Sequence, residues 1–230
     1  MTAEENGRLL ANSPLFAGLD EKTLSSRGER AVRRSFEKGR TIFYEGDEGD
    51  SLFVIAEGLV KVWVSSGDGS EMVLATLRSP DAFGELSALS GAARSASASA
   101  LEDTVLVSLD RATLLDSAHR QPKLADALLE AMGNLTRRVT ESASDLVFLD
   151  LAGRVAKRLV QMTERDGHAE KNEILLELPL TQTELAEMVG GSRQSVNHIL
   201  KTFEARGFLE LRGREVAILD MDALRHRAGS

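Results

Sequence analysis

Between residues 33 and 109 the chain alternates short apolar runs with clusters of turn-forming residues. The runs TIFY, SLFVIA, VKVWV, EMVLATL and TVLVSL are rich in β-branched and aromatic side chains. The clusters EGDEGD, EG, SSGDGS, SPD and SGAA separate them at nearly regular spacing. Short strands between evenly spaced turns predict an all-β barrel or jelly-roll-like domain. Gly46, Gly49, Gly58, Gly67 and Gly69 fall in those turns, where a positive φ is most often required. The period then changes. Asp110 is placed to cap a short helix over RATLLDSA, and residues 121–150 predict a long one. Along it Leu124, Leu128, Met132, Leu135, Val139, Ser142 and Leu146 recur at three- and four-residue steps. This near-heptad stripe suits either two copies packing along a seam or one helix packing on its own β domain. The length of the helix and the narrowness of the stripe favour the seam.

Residues 9–27 form short helices around SPLFAGLD, with Asp20 an N-cap, and serve as a lid on the β module. Residues 151–163 are a further helix with Gly153 a candidate hinge, residues 164–173 a polar loop, and ILLEL a strand. Thr181-Gln182-Thr183-Glu184 is a capping box opening a helix that stops at Val189-Gly190-Gly191, after which Ser192 can cap the next. Helix, glycine turn, helix is the helix-turn-helix pattern. LELRGREVAIL then alternates around Arg212-Gly213-Arg214, a hairpin with a basic tip suited to a wing that touches phosphate. The expected class is α+β: residues 1–120 a β-roll with flanking helices, 121–150 a long dimerisation helix, 151–230 a winged helix-turn-helix.

Composition narrows the chemistry. The chain has no cysteine, which excludes disulfides, thiolate metal sites and cysteine-ligated iron–sulfur sensing. Its four histidines, His119, His168, His198 and His226, all lie outside the β segment, so a metal-dependent cupin enzyme is not expected. The acidic cluster at residues 45–50 lacks the spacing of a helix-flanked calcium loop and reads as a solvated turn. No apolar run approaches the roughly 20 residues that cross a membrane, and residues 1–7 are too polar for a signal peptide, so the expected location is cytoplasmic. The net charge of −8 opposes nucleic-acid binding until it is divided along the chain. Residues 151–230 hold 12 basic and 12 acidic side chains, so the whole excess of negative charge precedes them. Within residues 193–214 five Lys and Arg stand against Glu204 and Glu210, a local basic strip that can meet a polyanion.

Two constellations carry recognition chemistry. In the second helix of the helix-turn-helix, Val196, Ile199, Leu200 and Phe203 make one buried face. The opposite face carries Arg193, Gln194, Asn197, His198 and Lys201, donors and cations with no carboxylate among them. Major-groove reading uses such a face: Arg to guanine, Gln or Asn to adenine, Lys to phosphate. Ser192 and Ser195 suit backbone phosphates, and Gln182 and Thr183 join the DNA-facing set with Arg212 and Arg214. The other constellation is FGELSALSGAARSAS, residues 83–97. Arg94 offers a fork of donors to a phosphate, Ser95 adds a neutral donor, and Glu85 can accept from a ribose hydroxyl. Gly84 permits close backbone approach, and the amides of Leu86 and Ser87 would face the anion if they open a short helix.

Residues 83–97 resemble the phosphate-binding cassette of cyclic-nucleotide-binding domains, and the chain from about residue 9 to 224 is similar to bacterial CRP/FNR-type transcription regulators. The resemblance implies Glu85 on the ribose, Arg94 and Ser95 on the cyclic phosphate, and cyclic AMP or cyclic GMP as allosteric effector without a bound cofactor. It implies a homodimer paired through the long helix, double-stranded DNA with two-fold symmetric half-sites as partner, contact with RNA polymerase, and no enzymatic activity. Alignment through FLDLAGRVA places Val139 and Thr140 at the two helix positions that meet the purine; Thr140 can bond a base edge and Val139 cannot. A regulator of the same fold needing no nucleotide, and a DNA-organising protein of low specificity, remain the alternatives. GGSRQSVNHILKTFE resembles the family's recognition helix, with Arg193 at the guanine-reading position, Gln194 in place of an acidic residue and His198 in place of an arginine.

Overall fold

The computed structural model describes residues 3–16, 19, 28–170, 173–177, 181–213 and 215–229; Asp20 and Arg214 fall outside the described residues. It divides into two compact units, residues 1–136 and 137–230, with the boundary inside the long helix.

The first unit holds β1 (Val32–Phe36), β2 (Thr41–Phe43), β3 (Ser51–Glu57), β4 (Leu59–Ser65), β5 (Glu71–Arg78), β6 (Ala82–Phe83), β7 (Ser97–Ala100) and β8 (Thr104–Asp110). They form two four-stranded antiparallel sheets, in the orders β1-β8-β3-β6 and β2-β7-β4-β5. The five apolar runs read from the sequence are β2, β3, β4, β5 and β8. Strand β3 is buried on both faces, and its alternation divides two cores. Phe53 and Ile55 join Val60, Phe83, Ala98 and Leu106 in one cluster. Leu52, Val54 and Ala56 join Val107 and Leu109 beneath the helices in the other. Helix α1 (Ala3–Asn12), a 3-10 turn (Pro14–Phe16) and α3 (Arg111–Arg120) accompany the sheets, α2 (Glu85–Ser90) lies in the cassette, and residues 17, 18 and 20–27 of the expected lid lie outside the described residues. Leu10, Leu15, Phe16 and Leu114, with Leu124 and Leu128 of α4 (Pro122–Phe148), close the second cluster. The expected cap is present: the Thr113 amide donates to Asp110 at 2.8 Å, and that bond holds the Asp110 carboxyl below its ordinary range.

Three strands escape the pattern. β7 is SASA, without one β-branched residue, yet it lies between β2 and β4 with every side chain buried. Its serines are satisfied individually: Glu45 N–H donates to Ser97 Oγ at 2.9 Å and Trp63 Nε1–H to Ser99 Oγ at 3.0 Å. β1 is an edge strand with a largely exposed pattern, and β6 has two residues. Gly46, Gly58 and Gly69 take the positive φ expected of them. Gly49 has a different reason: a Cβ there would lie 2.1 Å from Ser87 Cβ, so it permits a close approach instead.

The second unit contains the C-terminal part of α4, α5 (Leu151–Asp166), α6 (Gln182–Val189), α7 (Arg193–Ala205) and α8 (Met221–Arg227), with β9 (His168–Glu170), β10 (Glu173–Glu177), β11 (Leu209–Arg212) and β12 (Glu215–Ile218). Its sheet runs β11-β12-β10-β9, so the predicted polar loop contains a short edge strand, β9. Gly153 sits in the first turn of α5 as a packing position, where a Cβ would meet Arg227 Nη1 at 3.2 Å. Among the described residues no helix is long and apolar enough to cross a membrane.

Candidate functional site

The cassette is built around a buried arginine. Gly84, at φ 78°, turns the chain from β6 into α2, and a Cβ there would lie 2.7 Å from Arg94 Nη1. Arg94 Nη1 donates to Gly84 O at 3.0 Å and to Ser87 Oγ at 2.8 Å, and Nη2 donates to Ser51 Oγ at 3.3 Å. The Arg94 backbone is stapled to the acidic turn: its N–H donates to Asp47 O at 2.8 Å, and Gly46 N–H donates to its carbonyl at 2.9 Å. The turn at residues 45–50, read from sequence as merely solvated, is therefore one wall of the site.

Arg94 is 4% exposed, and its Nε–H is buried without a hydrogen-bond partner. Among the described residues no carboxylate forms an ion pair with it. Burial works against the charged guanidinium, and the more distant carboxylates of Asp50, Asp47 and Glu85 offset this in part. A guanidinium does not deprotonate in a protein, so Arg94 stays a buried positive charge that its hydrogen bonds and these carboxylates compensate only in part. The aromatic surroundings were not anticipated: the guanidinium carbon lies 4.3 Å from the Phe43 ring centroid and 5.5 Å from that of Phe53. Nothing local in TIF or SLF announces this, because the contacts join strands far apart in sequence.

The cassette residues read from sequence are together: Gly84, half-buried Glu85, exposed Leu86 and buried Ser87 run from the α2 N-cap into its first turn, and exposed Ser95 follows Arg94. Ser87 turns its hydroxyl inward onto Arg94, which is a different use from the amide contact expected of it. Val139 and Thr140 are exposed residues of α4 and belong to the other compact unit.

The residues expected to face DNA lie on α6, α7 and the hairpin of β11 and β12. The Thr181 capping box is complete: Thr181 N–H donates to Glu184 Oε2 at 2.7 Å, and Glu184 N–H donates to Thr181 Oγ1 at 3.2 Å. Gly190 ends α6 at φ 64°. Ser192 caps α7, accepting from Ser195 N–H at 3.1 Å, with the two hydroxyls 2.9 Å apart. Val196, Leu200 and Phe203 are buried and Ile199 is half-buried, while Arg193, Gln194, Ser195, His198 and Lys201 are exposed and Asn197 is half-buried. On α6, Thr183 is exposed and Gln182 half-buried. The wing is less simply basic. Arg212 donates to Glu173 at 2.6 and 3.0 Å and to Glu210 at 2.6 Å, pairs that raise its pKa further. Its fork is engaged with two carboxylates before any phosphate arrives. Arg154 fixes the turn from behind, donating to Leu149 O at 2.9 Å and Val189 O at 2.8 Å.

Residues 33–121 match the cyclic nucleotide-binding domain, and residues 153–227 match the Crp-like helix-turn-helix domain. A β-sheet effector domain, a long helix and a helix-turn-helix in this order define a DNA-binding transcription regulator, not an enzyme. The chain belongs to the CRP/FNR family. It is 35% identical to the CRP-like cAMP-activated global transcriptional regulator of Mycobacterium tuberculosis, with 96% of this chain and 98% of that one covered. It is 33% identical to the cyclic AMP receptor protein of Thermus thermophilus, covering 92% and 97%. The structure of FixK2 from Bradyrhizobium japonicum matches with a TM-score of 0.79 at 21% identity, covering 87% of this chain and 98% of that one, a likeness of fold alone.

Proposed function

We propose that the protein is a homodimeric regulator whose DNA affinity is set by a cyclic nucleotide held at Glu85, Arg94 and Ser95. The observation that carries this reading is the buried Arg94, a cation with an unpartnered Nε–H and no carboxylate pair. Such a group is stabilised by an anion with several acceptor oxygens, and a cyclic phosphate beside a carboxylate that can accept from a ribose fits both ends of the cassette. Cyclic AMP is the first candidate, because the relatives are named for it; cyclic GMP is the second. Val139 and Thr140 are the proposed base-facing positions, on the strength of the family resemblance. DNA would be read by Arg193, Gln194, Asn197, His198 and Lys201, with phosphates at Gln182, Thr183, Ser192 and Ser195 and at the wing. The effector would act by binding one dimer geometry more tightly than another.

A second reading, a regulator of this fold needing no nucleotide, is favoured by Val139, which offers no hydrogen bond to a base. Calorimetric titration with cyclic AMP and cyclic GMP separately decides between them. Saturable heat with one nucleotide, lost in Arg94→Ala, is expected. Absence of heat with both, at two temperatures, would establish the second reading.

A further inference from the structure

Strand β2 pairs with β7 through Thr41↔Ser99 and Phe43↔Ala98, so two steps along β2 answer one step along β7. This is a β-bulge, and its consequence is visible in the packing. In a regular strand Ile42 and Phe43 would point to opposite faces. Here both pack against the same cluster of Phe53, Ile55, Val60, Phe83, Ala98 and Leu106. The bulge thus turns Phe43 inward, opposite the small side chain of Ala98. There its ring meets Phe53 at 5.9 Å between centroids, and Phe53 in turn meets Phe83 at 5.3 Å. The Arg94 guanidinium lies over the Phe43 ring, nearer to it than to Phe53.

From this geometry we infer that Phe43 is a positioning residue of the effector site, set by the β2 bulge to hold the Arg94 guanidinium against an aromatic face. The inference rests on the nucleotide-binding reading above for its functional consequence. An aromatic face presents negative quadrupole to a cation and carries no formal charge. A carboxylate in the same place would neutralise Arg94 and compete with an incoming phosphate. The ring orients the cation without that competition. Gly84 O, Ser87 Oγ and Ser51 Oγ fix the guanidinium in its plane, and Phe43 fixes it from the face.

The test compares Phe43→Leu, which keeps apolar bulk, with Phe43→Tyr, which keeps the ring. Two readouts are needed. By 15N–1H correlation spectroscopy of the Arg94 Nε–H, the wild type and Phe43→Tyr should show a ring-shifted proton exchanging slowly with water, and Phe43→Leu should show a smaller ring shift, that of Phe53 alone, and faster exchange. In calorimetry Phe43→Leu should bind the cyclic nucleotide about 3- to 30-fold more weakly, with Phe43→Tyr near wild type. An unchanged Nε–H signal in Phe43→Leu, or equal affinity losses in both variants, would overturn the assignment. If the wild type binds neither cyclic AMP nor cyclic GMP, the nucleotide reading fails by itself, and the Nε–H signal still decides whether Phe43 positions Arg94.

Discussion

Arg94 brings two opposing demands to one side chain. Taking a guanidinium out of water costs stability, and the oxygens of Gly84, Ser87 and Ser51 return part of it through charge-assisted hydrogen bonds. What they leave unsatisfied, the Nε–H and the charge itself, is what an anionic ligand can use. Replacement by a neutral amide therefore separates binding from folding. Arg94→Gln keeps a donor near the same acceptors and removes the buried charge. We expect the ligand-free variant to unfold in urea within about 1 kcal/mol of wild type, since lost hydrogen bonds and relieved desolvation oppose each other. Nucleotide affinity should fall by about 2–5 kcal/mol, because the phosphate would be buried without its cation. A variant that loses stability and affinity in equal measure would mark Arg94 as a structural residue.

At the scale of elements, the wing and the recognition helix separate two kinds of basic residue that look alike in sequence. Lys201 is exposed on α7, on the side away from Val196, Leu200 and Phe203. Arg212 ends β11 with its fork on Glu173 and Glu210, and Glu204 of α7 anchors the same strand by accepting from Leu211 N–H at 3.0 Å. Recruiting Arg212 to a phosphate would mean breaking those pairs, so we expect its net contribution to DNA binding to be smaller than that of Lys201. Lys201→Ala should lower the slope of log affinity against log salt by about 1, and Arg212→Ala should change it by much less. Equal slope changes, measured on the same duplex, would show that the wing releases Arg212 on binding. The sequence exposes this difference poorly, because Glu173 is 39 residues away and the pair is formed by sheet order alone. The same distinction governs the rest of the reading. Features written in a local code were legible: the Thr181 capping box, the Asp110 and Ser192 caps, the alternating strands, and the cassette from Gly84 to Ser95. Features made by strands meeting across the roll were not. SASA carries no propensity for a central strand, yet it lies between β2 and β4 with all four side chains buried. The bulge that turns Phe43 onto Arg94 has no signature within β2 itself.

At the scale of the whole molecule, the long helix poses the remaining question of what covers its apolar stripe. Leu124 and Leu128 are buried in the first unit, and Met132 and Leu135 are half-buried. Beyond them the stripe emerges: Val139 is 61% exposed in the single chain and Leu146 51%, followed by Val147 and Phe148 at 74% and 81%. A run of this kind is commonly an interface, and a heptad-spaced stripe fits a second copy of the same helix. Two-fold pairing would also present two recognition helices at about 34 Å, one turn of DNA, as symmetric half-sites require. Val139→Glu tests the seam in the nucleotide-free protein, where its proposed base-facing role does not enter, because an exposed side chain can be changed without disturbing the fold of its own chain. In a parallel pair the two new carboxylates would face each other across a desolvated seam, where like charges are strongly unfavourable. Sedimentation of the nucleotide-free wild type should give twice the 24.9 kDa chain mass, and the variant should shift toward a single chain with an unchanged circular dichroism spectrum. Its binding to a two-half-site duplex should then become steeply dependent on protein concentration, since two chains must be assembled on the DNA. A variant that sediments as the wild type does would place the seam on another face of the helix. A wild type that sediments as one chain would remove the dimer, and with it the symmetric operator.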